Sequence, residues 1–188
     1  MKRPHPVIFT VGHSTRTLDE LVAILRAHGV ERLVDVRTIP RSRHNPQFNR
    51  ETLGKALHNR RLGYRHMKGL GGLRHARPDS INTGWRNASF RGFADYMQTP
   101  SFQEALEKFL RLAEEKPAAL MCAEAVPWRC HRSLIADALT ARGYEVRDIM
   151  CATSARPHVL TAMARVDGRQ VTYPAEGKSC LVPMPPRR

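Results

Sequence analysis

From Cys122 to Arg132 the chain reads CAEAVPWRCHR, which puts two thiols, a carboxylate, an imidazole and two guanidinium groups on one short segment. These are the side chains of nucleophilic and proton-transfer chemistry. The reactive form of cysteine is the thiolate, which is favoured beside cations or at a helix N-terminus. Just before Cys122, Ala118-Ala119-Leu120-Met121 is an apolar run of the length a buried strand needs. Pro127 stands where a helix would begin, because its missing N–H costs nothing in the first turn. Leu134, Ile135, Ala138 and Leu139 then recur at helical spacing, and Gly143 is a fitting residue past the helix end. The spacing predicts Cys122 and Glu124 at the carboxyl end of a strand. They would face the positive end of a helix whose sheet-packing face carries His131.

Each role has a bland alternative. Cys122 is a nucleophile paired with His131, or a space-filling core thiol. The stretch from Cys122 to Arg129 is one residue too long for the phosphatase cradle C-x5-R. Glu124 is a general acid/base, or it makes a structural ion pair with Arg129 or Arg132. A metal centre from Cys122, Cys130, His131 and His13 lacks the short regular pairs of zinc ribbons and fingers, so no metal is expected. A third reading, thiol redox or sulfur transfer, rests on Cys122 and Cys130 alone.

The elements that position these groups can be read from the rest of the chain. Val7 to Val11 reads as a strand ended by Gly12-His13-Ser14. Thr17-Leu18-Asp19-Glu20 has the form of a capping box, with Leu18, Leu21, Val22 and Leu25 on one helical face and Gly29 as the stop. Arg32 to Val36 is the second strand, which completes a βαβ unit with parallel strands and a right-handed crossover. A cationic loop through Arg37, Arg41 and Arg43 follows, then a helix over Arg50–Asn59 and a third strand over Leu62–Met67. The long stretch from Lys68 to Arg91 is irregular, and loops of that length are usually functional. Helical patterns cover Phe93–Met97 and Phe102–Glu114, and Glu145–Met150 is the last strand of the sheet. Arg165 to Tyr173 reads as a hairpin around a type I′ Asp167-Gly168 turn.

The expected fold is α/β: an open, mainly parallel sheet flanked by helices, doubly wound with Rossmann-like layering, plus a small C-terminal hairpin appendage. Residues 1–160 form one α/β domain, and residues 161–188 the hairpin and a loose basic tail. Strand ends on one sheet edge converge, so His13 joins Cys122, Glu124 and His131 as catalytic candidates. Ser14, Arg37, Arg43, Arg129, Arg132 and Trp85 are the substrate-binding candidates, since guanidinium groups clamp phosphates and aromatic rings stack bases.

Composition narrows the classes. The chain has 188 residues, 41% hydrophobic and 26% charged, as in a globular domain. It contains no apolar run long enough for a membrane span or for a signal-peptide core, which predicts a cytoplasmic protein without membrane association. The four cysteines form no CxxC pair and read as reduced thiols. A formal charge of +14 attracts phosphate-rich partners, either a small molecule or nucleic acid; a generally basic proteome is the alternative account of it. There is no GxGxxG and no P-loop sequence, so no cofactor is expected.

Val11-Gly12-His13-Ser14, Asp35-Val36-Arg37 with Pro40 and Ser42, Leu70-Gly71-Gly72, and Met121-Cys122-Ala123-Glu124 with Cys130-His131-Arg132 resemble the signature of the bacterial family called domain of unknown function 488. The resemblance runs in order from about Val7 to Met150. It implies a parallel-sheet α/β domain without an established activity, in which some members carry a DNA-repair label. It also implies one site made of His13, Arg37, Cys122, Glu124, His131 and Arg132. The expectation is an enzyme, a hydrolase or transferase, acting on a phosphate-bearing substrate. A non-catalytic DNA- or RNA-binding module is the alternative.

Overall fold

The computed structural model describes residues 5–175. The basic tail expected after Ala175 lies outside the described residues. The chain runs β1 (Ile8–Gly12), α1 (Leu18–Ala27), β2 (Arg32–Asp35), α2 (Arg50–His58), β3 (Gly63–His66), α3 (Ala88–Met97), α4 (Pro100–Glu115), β4 (Ala118–Cys122), α5 (Arg132–Thr140), β5 (Val146–Cys151), β6 (Ser154–Pro157), β7 (Arg165–Asp167) and β8 (Gln170–Thr172). Strands β1 to β6 form one sheet in the order β3-β2-β4-β1-β5-β6, and β7 and β8 pair as a separate hairpin. All pairings in the large sheet are parallel except β5 with β6. This is the expected α/β class.

Local chemistry explains the helix starts. Thr17 and Glu20 close a reciprocal capping box on α1. Asn87 caps α3, and Thr99 caps α4 with Pro100 at its first position. The sheet is coated on both faces, and β4 shows how. Ala118, Leu120 and Cys122 belong to the core shared with α3, α4 and α5, whereas Ala119 and Met121 belong to the core shared with α1 and α2. Alternate residues of a strand point to opposite faces, so a fully buried strand feeds both cores. Phe93, Phe102 and Phe109 are completely buried in the larger core. Each contributes up to about 3 kcal/mol through removal from water.

Several boundaries differ from expectation. Pro127 opens only a single 3₁₀ turn, Pro127–Arg129, and Cys130 is extended at φ −135°, which delays α5 to Arg132. The antiparallel edge strand β6 was not anticipated, because four residues ending at Pro157 carry little alternation signal. In the hairpin Asp167 pairs with Gln170, so the two-residue loop is Gly168-Arg169, one position later than expected. Gly168 has φ +56°, while Arg169 is not among the residues with positive φ, which excludes type I′.

The hairpin is held by Val171 and Tyr173, both buried in the larger core. The long loop before α3 is pinned as well. The Asp95 carboxylate accepts from the Arg77 N–H, the Ser80 hydroxyl and the Asn82 amide, and Asn82 in turn accepts the Tyr173 N–H.

Candidate functional site

Strand β1 lies beside β4 with Gly12 opposite Cys122. The chain leaves β1 for α1 on one face of the sheet and leaves β4 for α5 on the other. Where successive connections diverge to opposite faces, the strand ends open a crevice. Here it is a cleft of about 720 Å³ whose walls include His13, Ser14, Arg37, Arg41, Gly72, Phe90, Cys122, Glu124, Arg129, Cys130 and His131. Gly12 makes the close approach of the two strand ends feasible, since a Cβ there would strike the Glu124 carbonyl oxygen. Beyond it the pairing continues, with the N–H groups of His13 and Ser14 donating to the carbonyls of Cys122 and Ala123. Ser14 is turned into the left-handed region at φ 49°, a costly conformation held by that pairing.

Two thiols and an imidazole form the floor. His131 Nδ1 is 3.9 Å from Cys122 Sγ and 3.7 Å from Cys130 Sγ. Its Nε2 is 3.1 Å from both the Val36 and Leu70 carbonyl oxygens. Carbonyls only accept, so Nε2 carries a proton. In the neutral ring, Nδ1 therefore presents its lone pair to the sulfurs. The ring is wedged by the edge of Phe93 at 5.0 Å and by Gly72, where a Cβ would come within 2.5 Å of Nδ1. The Cys130 thiol, then His131, hold Cys122 well below the ordinary thiol range, against the opposing effect of burial. The same hydrogen bond, together with burial, pushes Cys130 upward.

A second group stands on the neighbouring strand end. Asp35 is fully buried and grips Arg37 through Oδ1 to Nε at 2.9 Å and Oδ2 to Nη2 at 2.6 Å. Arg37 Nη2 also donates to the Phe48 carbonyl, and Nη1 approaches His13 Nε2 at 3.3 Å. His13 Nδ1 donates to the Ser14 carbonyl, which leaves Nε2 as the acceptor. Burial, with help from the Arg37 charge, lowers the His13 pKa, so this histidine is neutral at pH 7. Arg37 thus spends its hydrogen bonds on holding the strand ends and shows the cleft little more than one N–H of Nη1.

The fold brings together most of the residues expected from sequence. His13, Ser14, Arg37, Cys122, Glu124, Arg129 and His131 all line the cleft. Three substrate-binding candidates lie outside the cleft lining. Arg132 is 1% exposed, and its guanidinium donates to the carbonyls of Glu124 (2.6 Å) and Ala125 (3.0 Å), so it builds the loop wall and is closed to a ligand. Arg43 is exposed and outside the cleft lining, where Arg41 takes its place. Trp85 packs on Phe90 and Tyr173 and lines a different cavity of about 330 Å³. Cys130 and Asp35 were not assigned to the site. Asp35 had a visible signal, since it stands two residues from Arg37 at the end of a strand and therefore on the same face. Although their spacing in the sequence is irregular, the possible ligand atoms of Cys122, Cys130 and His131 lie within 4.8 Å of one another.

Fold and site together define an open-sheet α/β protein with a thiol–imidazole cleft at its topological switch point. The chain belongs to the family described as Domain of unknown function DUF488, whose family model matches residues 17–139. The matched range contains Asp35, Arg37, Cys122, Glu124, Cys130 and His131, and it begins after His13 and Ser14. Comparison with curated proteins and comparison with solved structures gave no match. Among the described residues, no helix is long and apolar enough to cross a membrane.

Proposed function

We propose that the chain is an enzyme, a hydrolase or transferase, acting on a phosphate-bearing substrate such as a nucleotide or nucleic acid, with Cys122 as its nucleophile. The observation that carries this reading is the meeting of Cys122 with His131 on the floor of a cleft that also holds Arg41 and Arg129. Both arginines are exposed, so their donors are available to an incoming anion, and guanidinium groups bind phosphate oxygens in pairs. Cys122, whose thiol is held low, is present as the thiolate nucleophile, and His131 Nδ1 stays beside the sulfur because its other nitrogen is fixed to two backbone carbonyls. The sulfur attacks the electrophilic centre, and the bond to the leaving group breaks. The leaving group departs with its bonding pair and takes its proton from solvent, and Glu124, exposed on the cleft wall, draws a proton from the water or acceptor that then releases the enzyme.

The test is a turnover screen against nucleotides and short single-stranded DNA, alongside Cys122→Ala and Glu124→Gln. Both changes are expected to abolish turnover with folding intact. Turnover that survives Cys122→Ala removes the nucleophile assignment. The net charge of +14 favours one second reading, a nucleic-acid-binding module without chemistry. In that case affinity would fall steeply with salt and be indifferent to Cys122→Ala.

A further inference from the structure

We propose that Cys122, Cys130 and His131 form a binding site for a thiophilic divalent cation of the zinc type, and that its occupancy suppresses nucleophilic use of Cys122. The binding claim stands on geometry alone; the consequence for catalysis rests on the function proposed above.

The geometry has three parts. First, the three donor atoms lie within 4.8 Å of one another, with Nδ1 at 3.9 and 3.7 Å from the two sulfurs. A tetrahedral zinc ion, with bonds of about 2.3 Å to sulfur and about 2.0 Å to nitrogen, sets its S···N edges at roughly 3.5 Å. A contraction of a few tenths of an ångström would therefore bring both S···N edges to that length. Second, the single lone pair of Nδ1 faces two sulfurs at once. A central ion satisfies all three donors at once. Third, the tautomer is already that of a ligand. Nε2–H is held by the Val36 and Leu70 carbonyls, the outer-sphere arrangement that orients metal-binding histidines.

Donor type selects the ion. Two thiolates and an imidazole favour Zn²⁺ and related soft ions over Mg²⁺ or Ca²⁺. All three residues line the cleft, so the fourth position faces solvent or a ligand, the pattern of an open site rather than a closed structural one. Binding requires both sulfurs as thiolates and draws electron density from each onto the metal, which lowers the nucleophilicity of Cys122 and turns its sulfur away from a substrate.

The experiment is a Co²⁺ titration of the full chain with Cys151 and Cys180 changed to serine. One equivalent is expected to bind, with thiolate-to-Co²⁺ charge-transfer absorption that Zn²⁺ displaces. Cys122→Ser and Cys130→Ser should each remove about half of that absorption, one thiolate of two, and weaken binding by more than roughly 100-fold. Absence of the thiolate band, or a band unchanged in both variants, overturns the site. The unsubstituted chain provides a check that needs no variant: saturating Zn²⁺ should protect Cys122 and Cys130, but not exposed Cys151, from alkylation. Lack of protection overturns the site equally. The two proposals fail separately. Reactive Cys122 without metal binding removes only the site, whereas metal binding by a chain whose metal-free Cys122 resists alkylation removes only the nucleophile.

Discussion

His131 and His158 make an instructive pair, because each stands between two groups with which it can share a proton. His158 donates Nε2–H to Asp137 at 2.9 Å and Nδ1–H to Asp148 at 3.1 Å. Asp137 spends its remaining capacity on the Thr161 N–H, the Thr161 hydroxyl and the Tyr173 hydroxyl, and Asp148 also accepts from Thr10. Every polar atom in that cluster has a partner, and its members come from β1, α5, β5, the segment after β6 and the end of the hairpin. It ties the periphery of the fold together. His131 spends one nitrogen on backbone carbonyls and leaves the other to two thiols at the bottom of an open cleft. A saturated network specifies structure, and one with an unspent donor or acceptor is available for chemistry. The two carboxylates push the His158 pKa up to about 9 against the effect of burial, which makes it an imidazolium at neutral pH.

The sharpest way to break this contrast is to remove one member from each cluster. Cys122→Ala should lower turnover by about a thousandfold or more while costing on the order of 1 kcal/mol in stability. Steady-state kinetics and urea denaturation read the two effects. Asp137→Ala should do the reverse, costing about 3–5 kcal/mol because it takes one of two carboxylates from a buried imidazolium and leaves a buried tyrosine hydroxyl without its acceptor. The rate of Cys122 alkylation in the folded fraction should not change. A marked change there would mean that the clusters are coupled.

The pH dependence separates them further. The folded pKa of His158 is raised above the ordinary 6.5, so its stabilisation is fully present below about pH 6.5 and is lost as pH rises through about 9. Compared with His158→Gln, the unsubstituted chain should hold an advantage of up to about 3 kcal/mol at pH 6 that closes by pH 10. Thermal denaturation of both chains across that range checks it, and a constant difference would refute the imidazolium. The smallest effect is expected at the cleft mouth. Arg41→Ala and Arg129→Ala should each weaken phosphate protection of Cys122 by about tenfold, roughly the worth of one charged hydrogen-bonded contact there. His158→Gln should leave that protection unaltered.

Much of this was legible from residues. Apolar runs closed by polar or glycine residues marked the parallel strands, and the Thr17–Glu20 capping box marked the start of α1. The βαβ rule then put strand ends on one edge, which is why His13, Arg37 and Cys122 could be associated across more than a hundred positions. Other features were illegible for identifiable reasons. Arginine's role depends on what its donors meet: Arg132 and Arg37 turn theirs inward, and Arg41 and Arg129 are left exposed, though all four look alike in sequence. The extended backbone at Cys130 interrupts a helical pattern that the spacing of apolar residues cannot reveal. That interruption lets a residue next to His131 in the chain bring its sulfur to the same ring nitrogen as Cys122.

The amino-acid order alone determined the alternation of elements, the sheet class, and the concentration of reactive side chains at strand ends. These depend on local periodicity, capping and chain connectivity, which act over a few residues or through general handedness rules. Only the tertiary structure decided which of those side chains remain available. Packing spent Arg37 on Asp35 and Arg132 on the Glu124 loop, it sent Trp85 to another cavity, and it focused two thiols on one imidazole nitrogen. A hydrogen-bonding group has few partners to give, and which neighbours take them is settled by three-dimensional proximity.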